Sequence, residues 1–312
     1  MSACIKNANR LTIFKYKGFQ TSVDKLSIME HILVTTDFSD NAAAAIRFGL
    51  QLATQGGFKL VFMHVTEILK PVKWTEKFFM DFEQKELAGL EQQMKAQVME
   101  VSGGTGSTVI DPEYVVRNSS SVPASLVHYA EQHHIKYICI ARKGGGHTMR
   151  WFGSVTSTLM EKSTVPIVAV PETYQPSTIH SVCYASDLLN LYDELQVVRQ
   201  FSDPLEAALE LVHFSSIVEE TVGVHDLGEI QEDLARQQVV AHIEALDYEK
   251  PLSKRLAEAV ERFKPSVMVM FTRQDRSFFE KIFLSSVSAE FVFAAAIPLL
   301  VYRKQDQNRQ LL

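Results

Sequence analysis

The chain closes each of its two halves on the same sequence. Residues Gly153–Val168 read GSVTSTLMEKSTVPIV and residues Ser285–Leu300 read SSVSAEFVFAAAIPLL, aligned without a gap, Val155 over Val287 and Pro166 over Pro298. The halves also begin alike. Ile32–Asp37, ILVTTD, and Ser181–Asp187, SVCYASD, are each an apolar run closed by an aspartate. Matched beginnings and matched ends mean a duplicated unit, each copy building its own core from the same order of elements. A chain of 312 residues, 46% of them apolar, has the material for two cores of ordinary size.

Within each copy, buried-strand runs alternate with helical stretches. In the first half, strands are expected at Ile32–Thr36, Leu60–Val65, Tyr114–Arg117, Tyr137–Ala141 and Pro166–Val170. Helices are expected at Asn41–Thr54, Lys73–Val101, Val122–His134 and Ser154–Lys162. Ser39 or Asp40 is the expected N-cap of the first helix and Gly56-Gly57 its stop. In the second half, strands are expected at Ser181–Ala185, Ala207–Val212, Val239–Ile243, Val267–Phe271 and Leu299–Tyr302. Helices there are expected at Glu194–Phe201, Leu227–Arg236, Leu252–Phe263 and Ser286–Ala294. Strands that read as unbroken apolar runs are buried on both faces, and their alternation with helices makes the sheet parallel. The fold class is therefore α/β. Residues 29–173 and 178–304 form the two units, with a linker at Pro171–Ser177. Residues 1–28 carry Lys6, Arg10, Lys15, Lys17 and Lys25 against Asp24 alone and read as a disordered basic extension or the product of an upstream start.

Several functions are set aside by composition. A net charge of −6 with no long basic run gives no nucleic-acid groove. No apolar run reaches the length that spans a bilayer, so no membrane partner is expected. The three cysteines, Cys4, Cys139 and Cys183, lack metal-binding spacing, and the last two lie inside apolar strands, as suits reduced thiols in a cytoplasmic protein. His133-His134 ends a helix with no clustered ligand, so no metal site is expected. The acidic stretch Glu219–Asp233 reads as a solvated helix and loop. Phe78, Phe79 and Phe82 are expected to pack on the sheet or a partner subunit, with Trp74 marking an interface if exposed. No GxSxG elbow or P-loop is present, so no catalytic residue is assigned.

The chemistry of the first half converges where strands end. Asp37 closes the first strand, Val65 the second, and the run Ala141–Ser154, ARKGGGHTMRWFGS, follows the fourth. Glycines let backbone N–H groups approach a phosphate, and Gly153-Ser154 opens a helix whose N-terminus favours an anion. Arg142, Lys143, His147 and Arg150 add positive charge. These features, with Met-His-Val at Met63–Val65 and the closing VPIVAVP strand, resemble the universal stress protein family, and the resemblance covers nearly all of Met29–Lys304 as a tandem pair. It implies two Rossmann-like, flavodoxin-like domains with parallel five-stranded sheets, packed as a pseudo-dimer through their final strands. Members that bind ATP carry a G-x2-G-x9-G-[S/T] loop. Here Ala141 stands at the first glycine position, Gly144 at the second, and Gly153-Ser154 at the last, with eight residues between Gly144 and Gly153.

The resemblance implies a stress-response regulator that binds ATP, with or without Mg2+, or another adenine nucleotide. Asp37, Val65, Ala141, Gly144, Gly153, Ser154 and Val155 are the implied contacts. In the second half the corresponding loop, Thr272–Asp275 and on to Ser285-Ser286, has lost every glycine, and Asp275 stands where a phosphate would sit. That half is expected not to bind a nucleotide in the family manner. Two alternatives stand: a nucleotide-free interaction or dimerisation scaffold, and a slow ATP hydrolase. An unidentified protein partner and a homodimer belong to the same reading.

Overall fold

The computed structural model describes residues 30–105, 111–142, 154–215, 227–245, 247, 249–250, 252–272 and 297–304. Residues 1–28, the Gly144–Gly146 run, Gly153, Asp275, Ser285-Ser286 and the helix expected at Ser286–Ala294 lie outside these.

The first half runs β1 (His31–Thr35), α1 (Ala42–Gly56), β2 (Lys59–Thr66), α2 (Glu76–Thr105), β3 (Glu113–Asn118), α3 (Val122–Gln132), β4 (Tyr137–Arg142), α4 (Ser154–Lys162) and β5 (Ile167–Pro171). The second runs β6 (Ser181–Ala185), α5 (Leu191–Ser202), a 3-10 turn at Asp203–Leu205, β7 (Ala208–Ser215), α6 (Leu227–Arg236), β8 (Val239–Ala245), α7 (Leu252–Phe263), β9 (Val267–Thr272) and β10 (Leu299–Arg303). The ten strands among the described residues join one sheet in the order β3-β2-β1-β4-β5-β10-β9-β6-β7-β8. Neighbours are parallel except at the middle, where β10 lies antiparallel to β5 with Leu299 opposite Ala169, Leu300 opposite Val168 and Val301 opposite Ile167. Each half is thus a doubly wound five-strand unit, and the two meet edge to edge through their last strands. Joining these edges covers two apolar strands that would otherwise invite pairing with another chain.

The core lies on both faces. One cluster packs α1, α2, α5 and α6 against the sheet, through Phe48, Met94, Phe201 and Leu234. The other packs α3, α4 and α7 on the opposite face, through Leu126, Leu159 and Val260. Helix α1 sits close on β1: a Cβ on Gly49 would stand 2.6 Å from Val34 Cγ2. The halves are tied by side chains as well as by the sheet. Gln55 of α1 donates to the carbonyls of Ile179 at 2.9 Å and Leu205 at 2.7 Å, and accepts from the Ile179 N–H at 2.9 Å.

Three helix starts differ from expectation, α5 beginning at Leu191 in place of Glu194. Helix α1 begins at Ala42 behind Asn41, not behind Ser39 or Asp40. Those two residues offer backbone carbonyls, to Ala42 and Ala43, because the chain has already turned at Phe38, where φ is 63°. Helix α2 begins at Glu76 rather than Lys73, its first turn closed by the Thr75 hydroxyl accepting from the Phe78 N–H at 3.3 Å. Gly103 and Gly104, beyond the end expected at Val101, continue this helix.

Candidate functional site

In the first half the sheet order reverses at β1, with β2 on one side and β4 on the other. Helices α1 and α4 leave β1 and β4 on opposite faces there, so a crevice opens beyond the carboxyl ends of these strands. A cavity of about 310 Å³ occupies it. Its polar rim is Thr36, Asp37, Ser39 and Asn41, and its apolar wall is Val65, Leu126, Ile140 and Val155, with Ala141 at the edge of the β4 turn. That size and mixture suit a small organic ligand held by a few polar groups.

The rim is shaped by short hydrogen-bonded turns. Thr36 donates its hydroxyl to Gln97 of α2 at 2.7 Å and accepts from the Phe38 N–H at 3.0 Å. Asp37 Oδ1 accepts from the Ser39 N–H at 3.0 Å and from the Ser39 hydroxyl. His64 Nδ1 donates to the Thr36 carbonyl at 2.8 Å, and the Phe38 ring lies 4.3 Å from the His64 ring. Asp37 therefore does not cap α1.

Of the residues singled out from sequence, Asp37, Val65, Ala141 and Val155 line this one cavity. Ser154 is the first residue of α4, which rises beside it. Gly144 and Gly153 lie outside the described residues. Arg142 differs from expectation: it is 3% exposed and does not line the cavity. Burial pulls its guanidinium down to about 9, Glu172 opposing the shift. A side chain at the end of β4 points to alternate faces, so Ala141 and Arg142 cannot both face the cavity.

The second half repeats the frame and fills the space. The Ser186 N–H donates to the Val212 carbonyl as the Thr36 N–H does to Met63. His213 Nδ1 donates to the Ser186 carbonyl at 2.9 Å, as His64 does to Thr36. By this correspondence Asp187 matches Asp37 and Phe214 matches Val65, and the strand register, with Cys139 beside Val34 and Val269 beside Tyr184, matches Phe271 to Ala141 instead of the Thr272 that the loop alignment implied. Both phenylalanines line the equivalent cavity, which is about 90 Å³. Lys304, 7% exposed, reaches Asp187 at 2.6 Å and Glu194 at 3.4 Å. Tyr184 donates its hydroxyl to Glu194, and Ser186 donates to Tyr184 at 3.0 Å. Burial raises Glu194 above the ordinary carboxylate range, Tyr184 and Lys304 drawing it back, and raises the Tyr184 phenol. Sequence reasoning missed Lys304, Glu194 and Tyr184. It could have found the two phenylalanines by extending the repeat through the second and fourth strands.

Residues 29–171 match the universal stress protein family. The first half of the chain is therefore similar to universal stress protein domains. A universal stress protein from Archaeoglobus fulgidus is 17% identical, covers 88% of this chain and 98% of its own, and superposes with a TM-score of 0.62. A Pseudomonas aeruginosa protein assigned to the same family is 12% identical, with coverage of 88% and 94% and a TM-score of 0.53. At these identities the likeness is one of fold, and it extends over both halves. No curated protein matches the chain in sequence. Among the described residues, no group of His, Cys, Asp and Glu could hold a metal ion, and no helix is long and apolar enough to cross a membrane.

Proposed function

We propose that the first half of the chain is a universal stress protein domain that binds an adenine nucleotide, ATP in the first instance, and acts as a regulatory stress-response protein in the cytoplasm. The observation that carries this is the 310 Å³ cavity lined together by Asp37, Val65, Ala141 and Val155. Its apolar wall suits a base, its hydroxyl and carboxylate rim suits a ribose, and the α4 N-terminus with the preceding glycines suits phosphates. Mg2+ would arrive on the phosphates, as this ion commonly does, without a dedicated protein cage. The second half binds no nucleotide in this manner. It serves as the scaffold that covers β5. Residues 29–173 and 178–304 are the two units of this reading, and Gly144, Gly153 and Ser154 are its phosphate contacts. No catalytic step is proposed.

The experiment is small-molecule release from the denatured pure protein, followed by calorimetric titration with ATP and Mg2+. Ala141→Phe installs the residue that the second half carries. The ring should weaken binding by about 10- to 100-fold, the cost of overpacking a formed site, while the far-ultraviolet circular dichroism stays unchanged. No released nucleotide and no heat from the unmodified protein would sink the reading and leave a nucleotide-free scaffold joined at β5 and β10.

A further inference from the structure

The segment from Leu69 to Met80 stands out from the rest of the surface. Val72 is 101% exposed, Leu69 75%, Met80 59% and Phe78 56%. Trp74 stands edge-on to Phe78 at 4.6 Å and to Phe82 at 5.0 Å, forming a small aromatic stack outside the main core. Phe78, expected to pack on the sheet or a partner subunit, is exposed on this chain. The same twelve or so residues hold Lys70, Lys73 and Lys77 against Glu76 alone, in a chain whose net charge is −6. Lys70 pairs with Glu76.

This tip is held firmly. Asn118, at the end of β3, accepts from the Ile68 N–H at 2.8 Å, donates to the Ile68 carbonyl at 3.2 Å, and donates to Glu83 of α2. The tip follows β2, so it lies at the same end of the sheet as the cavity that Val65 lines.

We propose that this tip docks on an anionic membrane surface. Aromatic and aliphatic side chains interleaved with lysines are the chemistry of an interfacial contact. A soft surface accepts projecting side chains such as Leu69 and Val72, which stand free instead of lining a groove. Outside this tip and the basic residues 1–28 the chain carries net negative charge and is repelled by anionic lipid, so among the described residues the lysine-bearing tip is the part drawn in. A second copy is disfavoured, because a two-fold contact here would set the lysines against one another. The expectation of no membrane partner rested on spanning length, and lying on a surface needs no spanning run. Beyond Met80 the helix turns acidic at Asp81, Glu83 and Glu86, which limits the contact to the tip.

The test is co-sedimentation of the full chain with vesicles of phosphatidylcholine alone or mixed equally with phosphatidylserine, at low and physiological salt. The protein should pellet with the mixed vesicles only, and less at higher salt. Each lysine changed to glutamine, as in Lys73→Gln, should weaken binding about fivefold. Val72→Asp should abolish it, with circular dichroism and nucleotide titration unchanged. Absence of pelleting with mixed vesicles at low salt overturns the proposal. So does pelleting that Val72→Asp and the triple lysine variant leave intact. Self-association that Val72→Asp removes, without vesicle binding, assigns the tip to a second copy instead.

Discussion

Lys304→Met takes the ammonium away from Asp187 and Glu194. Asp187 has a side chain 41% exposed and rehydrates at little cost. Glu194, 7% exposed, has two routes. It can stay ionised with the Tyr184 hydroxyl as donor, losing roughly the 3–5 kcal/mol of a broken buried pair. Or it can take up a proton, which for a carboxyl of ordinary value costs about 3.7 kcal/mol near pH 7 and about 1 kcal/mol near pH 5. The cheaper route sets the loss, so the deficit should fall from about 3–4 to about 1 kcal/mol between those conditions. Burial already raises Glu194 above the ordinary range, and without Lys304 it rises further. The stability is therefore kept below the unfolded value and lost as pH rises through the folded one. Urea unfolding of the full chain at both pH values measures the deficit. The double variant Lys304→Met with Glu194→Gln keeps an acceptor for Tyr184 and should recover most of the loss near neutrality. An equal deficit at both pH values, or a double variant no more stable than the single one, would refute the view that Lys304 neutralises a buried charge.

Gln55→Ala should destabilise the chain by about 1–3 kcal/mol, since it strands the backbone groups of Ile179 and Leu205; thermal melts that do not move would remove Gln55 from the junction. Gly49→Ala gains helix propensity but drives a Cβ to 2.6 Å from the stiff, buried Val34 side chain. Its net effect should be a loss of about 1 kcal/mol, read as a lower urea midpoint. Cys139 and Cys183 are buried and their thiols are pushed up by burial, so neither should react with a thiol reagent until the chain is unfolded. Labelling of either in the native protein would show that the sheet opens locally.

Most of the strands were legible because both faces of this sheet are covered. Ile32–Val34, Val182–Tyr184 and Val267–Val269 are buried throughout, and such runs need no alternation to be recognised. Three helices were also bounded from sequence as they stand: Ser154–Lys162, Leu227–Arg236 and Leu252–Phe263. Helix α2 was harder, because its first turns touch little and its start is set by one hydroxyl of Thr75. The cavity was legible in part. Asp37, Val65 and Ala141 each end a strand, and the topology alone sends strand ends to the switch point. Thr36 and Gln97 were not, since their bond joins residues 61 apart and no local pattern records it. The same holds for Lys304 and Asp187, 117 residues apart, brought together by the last strand of the second half.

The antiparallel join of β5 and β10 has a consequence for ligand number. Strands are parallel within each half, so the carboxyl ends of β1, β2 and β4 open at one end of the sheet and those of β6, β7 and β9 at the other. The two equivalent crevices therefore face opposite ways and cannot share a ligand. Among the described residues the first crevice holds a cavity of about 310 Å³ and the second one of about 90 Å³, lined by Phe214 and Phe271 and holding Lys304 between Asp187 and Glu194. To bind in the second, a nucleotide would have to expel a buried ammonium from two carboxylates and then bring its own negative phosphates to them, against both desolvation and repulsion. On the proposed reading the chain therefore carries one nucleotide site, and calorimetry should return a stoichiometry of one nucleotide per chain.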